Sequence, residues 1–193
     1  MPPGTPASVL TVEDDPITRA DLRLILEDHG FDVCPDARNG LEAVELARKH
    51  RPDLILIDLN LPELDGVEAT RRILGERDVP IVALTGHVAG DWIERAAEAG
   101  AVDHVTKPFS EAALVDTLRS VLTASRLDAE REAEHHYIRV RIEAMLREDR
   151  TEQEIIAVVR SMTGEPAPPN ALVALLRRCT AWLRDRSARV RKT

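Results

Sequence analysis

The chain has 193 residues, 44% hydrophobic and 31% charged, and a net charge of −8. This excludes an intrinsically disordered chain and suits one domain of ordinary size plus a smaller one. No apolar run approaches the roughly 20 residues of a membrane-spanning helix, so no membrane role is expected.

The start, Met1 to Ser8, is Pro-rich and lacks the basic head and apolar core of an export signal. Cys34 and Cys179 supply neither a disulfide framework nor a metal-ligand spacing, and both read as small core hydrophobes. The expectation is a cytoplasmic protein with reduced thiols. Charge is unevenly divided: residues 1–124 carry 12 Lys+Arg against 23 Asp+Glu, whereas residues 125–193 carry 14 against 11. The acidic first part does not suit nucleic acid.

Taken in order, Ser8 to Glu13 is a short apolar strand ending in Glu13-Asp14-Asp15. Pro16 opens a helix to about His29, with Ile17, Ala20, Leu24 and Ile25 roughly in phase, and Gly30 closes it. Phe31 to Cys34 reads as a second strand. Asn39 caps a helix carrying Leu41, Val44, Leu46 and Ala47 to about His50. The run Leu54-Ile55-Leu56-Ile57 reads as a strand buried on both faces, as a parallel sheet requires, and it stops at Asp58. A Pro-Glu-Leu-Asp-Gly turn leads into a helix from Gly66 to about Glu76.

Val79 to Leu84 is the fourth strand, ending at Thr85-Gly86. An Ala-rich helix with Trp92 and Ile93 runs to Gly100. Val102 to Val105 is the fifth strand, ending at Thr106-Lys107-Pro108-Phe109, and Ser110 caps a helix through Leu114, Leu118 and Leu122. Five β-then-α units with short connections predict an α/β fold: a five-stranded parallel sheet with helices on both faces.

In such a sheet ligands gather at the carboxyl ends of the strands. The first strand delivers Glu13 and Asp14 there, the third Asp58, the fourth Thr85 and the fifth Lys107. Three carboxylates packed together repel one another unless a cation is present, and Mg²⁺ is the hard cation that oxygen ligands and a phosphate hold. Lys107 suits a phosphoryl oxygen as a mobile point charge, Thr85 offers a hydroxyl, and Asp58 stands where a phosphoryl acceptor would. The competing reading is a solvated acidic cap on the first helix with Lys107 as its counter-charge.

The motifs Val12-Glu13-Asp14-Asp15-Pro16, Ile57-Asp58-Leu59-Asn60-Leu61-Pro62, Ala83-Leu84-Thr85-Gly86 and Thr106-Lys107-Pro108-Phe109 resemble those of the receiver domain of two-component response regulators. The resemblance covers about residues 8–124. It implies a flavodoxin-like sheet of order 2-1-3-4-5, and Asp58 accepting phosphate from a sensor histidine kinase or phosphotransfer protein. It also implies Mg²⁺ held by Asp14, Asp58 and the Asn60 carbonyl, with Glu13 reaching it through water, and Thr85 and Lys107 reading the phosphorylated state. Beyond self-catalysed phosphotransfer and dephosphorylation, no enzyme activity is implied. Glu13 replaces the commoner aspartate, and His104 stands where many receivers carry a switch tyrosine or phenylalanine.

Residues 125–193 carry no strand signal and read as a helical output or dimerisation module. A charged helix over 127–148 bears Ile138, Ile142, Met145 and Leu146 on one stripe. Thr151 and Glu154 form a capping box before a second helix, and Asn170 caps a last one containing Leu172, Leu175, Leu176, Trp182 and Leu183. The alternative is a DNA-binding helix-turn-helix within 138–190. Against it, Gly164–Pro169 is long for a tight turn, and the last helix begins Ala171-Leu172-Val173-Ala174 with nothing to read base edges. Its arginines, from Arg177 onward, fit a solvated helix end or phosphate contacts. His135 and His136 point about 100° apart on a helix and lack a partner spaced to complete a metal site. Trp92, Val102 and Trp182 read as packing or interface anchors, and the expected assembly is a homodimer.

Overall fold

The computed structural model of the protein describes residues 5–86, 90–148 and 150–163. The side chain of Trp92, the helix after Asn170 with its arginines, Cys179 and Trp182, and the second half of the helix-turn-helix alternative lie outside the described residues. The chain divides into two compact units, Met1–Arg126 and Leu127–Thr193.

Along the chain the elements alternate as β1 (Ser8–Val12), α1 (Pro16–Asp28), β2 (Asp32–Val33), α2 (Gly40–His50), β3 (Leu54–Asp58), α3 (Gly66–Glu76), β4 (Ile81–Thr85), α4 (Gly90–Glu98), β5 (Asp103–Thr106) and α5 (Glu111–Arg147), the last beginning in the first unit. All strand pairs are parallel and the sheet order is β2-β1-β3-β4-β5, the flavodoxin-like winding. A parallel sheet sends every strand's carboxyl end to one edge, and that edge carries Glu13, Asp58, Thr85 and Lys107.

The two-residue period of the strands splits the core in two. Leu54 and Leu56 pack with Leu22 and Leu26 of α1 and with Leu114 and Leu118 of α5. Ile55 and Ile57 pack with Ala43 and Ala47 of α2 and Ala69 and Ile73 of α3. Each large side chain so buried contributes about 1.5–3 kcal/mol. The unbroken apolar run Leu54–Ile57 of β3 follows from this arrangement, because neither of its faces meets water.

Three local expectations are corrected. On α1 the phase Ile17, Ala20, Leu24 faces solvent, with Ile17 71% and Leu24 60% exposed, while Leu22 and Leu26 are fully buried. The helix has two apolar lines, and Leu24 stands about 200° round from Leu22. Only packing on the sheet chooses between them. Second, β2 shrinks to Asp32–Val33, and β4 starts at Ile81, just after Pro80. Third, the helices expected to either side of Thr123-Ala124-Ser125 are one 37-residue α5. That junction holds no Gly or Pro, and Thr123 Oγ1 donates to the Arg119 carbonyl at 2.8 Å rather than capping a new helix.

In the second unit the distal part of α5 packs on α6 (Glu152–Thr163) through Ile138, Ile142, Met145, Ile155 and Val159. The capping box forms as its sequence specifies. The Glu154 amide donates to Thr151 Oγ1 at 3.3 Å, and Glu154 Oε2 accepts from the Thr151 amide at 2.8 Å. His135 and His136 are both exposed, and His136 contacts Arg139.

Candidate functional site

β1 ends at Val12, and the chain turns at once into α1. Asp15 caps that helix, its Oδ1 accepting the Thr18 amide at 2.8 Å, and Pro16 supplies the first helical position. This hydrogen bond to the Thr18 amide lowers the Asp15 carboxyl below its ordinary value. Asp15 is thus committed to the cap, leaving Glu13 and Asp14 for the pocket. Arg19 closes the turn by donating from Nη1 to the carbonyls of Glu13 at 2.6 Å and Asp14 at 3.0 Å. The sequence reading missed Arg19. Its only signal is a cation one turn into a helix that follows three acids.

Asp58 is the last residue of β3 and is 7% exposed. Its Oδ1 accepts the Asn60 amide at 2.8 Å, which fixes the carboxylate and turns the chain towards α3. Asn60 itself is exposed at the rim. Thr85 ends β4 and is buried, and its carbonyl accepts the Lys107 amide at 2.7 Å. That bond clamps the β5–α5 loop across the strand ends and directs Lys107 back over the sheet edge.

The Lys107 ammonium donates to both Glu13 Oε2 and Asp58 Oδ2. Glu13 is almost fully buried, whereas Asp14 is exposed at the mouth. One carboxylate oxygen from each of Glu13, Asp14 and Asp58 lies within 4.8 Å of the others. Burial pushes the Glu13 carboxyl above its ordinary value, the Lys107 hydrogen bond opposing and the Asp58 charge adding to the shift. Burial alone would lower the Lys107 ammonium, but its bonds to Asp58 and Glu13 outweigh that and leave it raised.

With these groups ionised, one ammonium against three carboxylates leaves two negative charges uncompensated. A divalent hard cation matches that deficit, and an all-oxygen donor set open to water at Asp14 suits Mg²⁺. The residues present therefore fit the ion. His104 lies on β5, exposed, its own amide bonded to Asp103 Oδ1 at 2.7 Å. It is not among the groups drawn together at the pocket.

Comparison with known proteins agrees with this architecture. The family model for the response regulator receiver domain matches residues 9–119. The chain is 38% identical over 123 residues to the transcriptional regulatory protein PdtaR of Mycobacterium tuberculosis, covering 64% of this chain and 60% of that protein. It is 38% identical over 120 residues to the polar-differentiation response regulator DivK of Brucella anthropi, covering 61% of this chain and 97% of DivK. Among solved structures, the receiver domain of a Pseudomonas aeruginosa sensor histidine kinase, determined with a magnesium ion coordinated in its active-site cleft, superposes with a TM-score of 0.57. That domain is 36% identical, and the match covers 61% of this chain and 98% of the domain.

The chain belongs to the response regulator receiver family of two-component systems. The match spans only 60% of the PdtaR relative, and the family model ends at residue 119, within α5. No helix among the described residues is long and apolar enough to cross a membrane.

Proposed function

We propose that this protein is a two-component response regulator in which Asp58 accepts a phosphoryl group from a sensor histidine kinase or phosphotransfer protein. The observation that carries the reading is the pair of bonds from Lys107 to Glu13 and Asp58, with Asp14 within ligand range of both carboxylates. An Asp58 oxygen attacks the phosphorus of a phosphohistidine; the O–P bond forms as the P–N bond breaks, and the imidazole leaves. Glu13, Asp14, Asp58 and the Asn60 carbonyl would hold Mg²⁺, which supplies neutralisation of phosphoryl charge when bound. Lys107 exchanges its carboxylate partner for a phosphoryl oxygen, and the Thr85 hydroxyl donates to a second. Asn60 N–H keeps Asp58 aimed throughout.

The receiver is assigned to residues 8–124, and residues 125–193 to an output module that acts by protein–protein interaction or dimerisation in the cytoplasm. The unbroken α5 favours this reading, since one helix leaves the receiver and supplies the apolar stripe of the α5–α6 pair. The test is label uptake from a small phosphodonor with Mg²⁺, followed by sedimentation of the full chain with and without beryllofluoride, which mimics the phosphoryl group. Uptake abolished by Asp58→Asn supports the site, and label retained in that variant refutes it. A beryllofluoride-dependent change of assembly supports the output reading. An unchanged assembly together with phosphorylation-dependent binding of duplex DNA replaces it with the DNA-binding alternative.

A further inference from the structure

At the opposite edge of the sheet from Asp58, α2 and α3 end side by side where β3 and β4 begin. Between their last turns lies a cleft of about 50 Å³. Arg48, Arg51, Glu76 and Arg77 line it, with Val44 and Ile73 as its apolar wall. One water requires about 10–15 Å³ on this scale, so the cleft holds a group of a few heavy atoms.

Three of the four charged residues that line it are arginines. Glu76 is taken by Arg48, which donates to it through Nε at 2.9 Å and Nη2 at 2.7 Å. Arg51 and Arg77 remain, and Arg77 Nη1 is buried without a hydrogen-bond partner. No other buried side-chain nitrogen or oxygen among the described residues is left in that state. Helix C-termini attract cations through their dipoles, which accounts for Arg48 and for Arg51 as the cap of α2. The same holds for Arg77 as the cap of α3, but it does not account for a guanidinium nitrogen buried with no acceptor, since that leaves a desolvated donor unsatisfied.

We infer that this cleft is a binding site for a small oxyanion, a phosphate or a carboxylate, held by the Arg77 and Arg51 guanidinium groups. Arginine presents planar paired donors matched to both groups. Burial first, and then the neighbouring Arg51 charge, push the Arg77 guanidinium down while Asp53 and Asp78 oppose the shift, and an anion in the cleft would offset the Arg51 repulsion. The site is separate from the Asp58 pocket and does not depend on the function proposed for it.

The experiment uses the full chain carrying Asp58→Asn, without Mg²⁺, and follows arginine Nε–H signals by NMR during titration with inorganic phosphate and, separately, with acetate. A saturable shift of the Arg77 and Arg51 signals supports the site. Saturation by phosphate alone identifies a phosphate ligand, and saturation by acetate as well identifies a carboxylate-type one. Arg77→Met keeps the aliphatic stem and should weaken the affinity read at Arg51 about tenfold or more. Should that variant fail to fold, Arg51→Gln should weaken the affinity read at Arg77 comparably. Shifts linear in both anions, or equal affinity with and without the Arg77 guanidinium, overturn the proposal and assign the cleft to water.

Discussion

A Cβ on Gly66 would stand 2.1 Å from the Asp58 carbonyl oxygen and 2.8 Å from the Leu59 Cα. The first residue of α3 is therefore pressed against the strand end that carries the candidate acceptor. The Gly66 amide donates to the Leu59 carbonyl at 3.1 Å, and Asp65 caps the helix through the Glu68 amide. Both close neighbours are backbone, so neither can swing aside. Gly66→Ala should destabilise the fold by about 3 kcal/mol and displace Asp58. Urea unfolding should show a lower midpoint, and Mg²⁺ titration a weaker affinity.

Lys107→Met should remove the one ammonium shared by Glu13 and Asp58, leaving two carboxylates close together. The expected loss is about 1–3 kcal/mol at neutral pH, partly restored by Mg²⁺. Because the folded Lys107 value is raised above 10.5, its contribution is fully present below that pH and lost as pH rises through the raised value. Thermal melts should therefore show wild type and variant converging in strong alkali.

Glu13→Gln acts in the opposite direction. A carboxyl raised above 4.5 by burial marks an ionised form that the fold tolerates poorly at neutral pH. The metal-free variant should be as stable as wild type or more so at pH 7. Its Mg²⁺ affinity should fall about tenfold or more, because an anionic oxygen is lost from the cluster. Paired melts and Mg²⁺ titrations separate the two effects.

Cys34 is buried, and that burial, with Asp32 and Asp53 nearby, raises its thiol above 9.0. Its share of stability is present below pH 9.0 and lost as pH rises through the raised value. In a Cys179→Ser background, iodoacetamide should label native Cys34 far more slowly than a free thiol at pH 8. The rate should rise sharply in urea.

Ala124→Pro tests the continuity of α5. Proline removes one backbone bond and clashes with the preceding turn, at a cost of about 3 kcal/mol within a helix. Ala124 is exposed, so the change acts on the helix rather than on a core. The receiver should still take up phosphoryl label, while any beryllofluoride-dependent change of assembly is lost.

Local chemistry had already determined much of this protein. The doubly apolar β3, the acids and Pro16 after β1, the Asn39 cap and the Thr151–Glu154 capping box depend on neighbours a few residues away. Such signals survive in a linear string, so the parallel sheet and the strand-end origin of Glu13, Asp58, Thr85 and Lys107 were legible there, whereas the strand order came from the resemblance to receiver domains.

Three-dimensional packing decided the rest. Leu22 and Leu26 rather than Ile17 and Leu24 face the core because α1 has two apolar lines and only the sheet selects one. The junction at Thr123-Ala124-Ser125 continues as helix because nothing in it forbids a helix, although nothing local requires one. Asp15 caps α1 through the Thr18 amide, and Arg19 fastens the acidic turn. Gly66 must lack a side chain, and Arg77 has a nitrogen without an acceptor. Each of these depends on how closely segments approach in space, and sequence spacing carries no such distance.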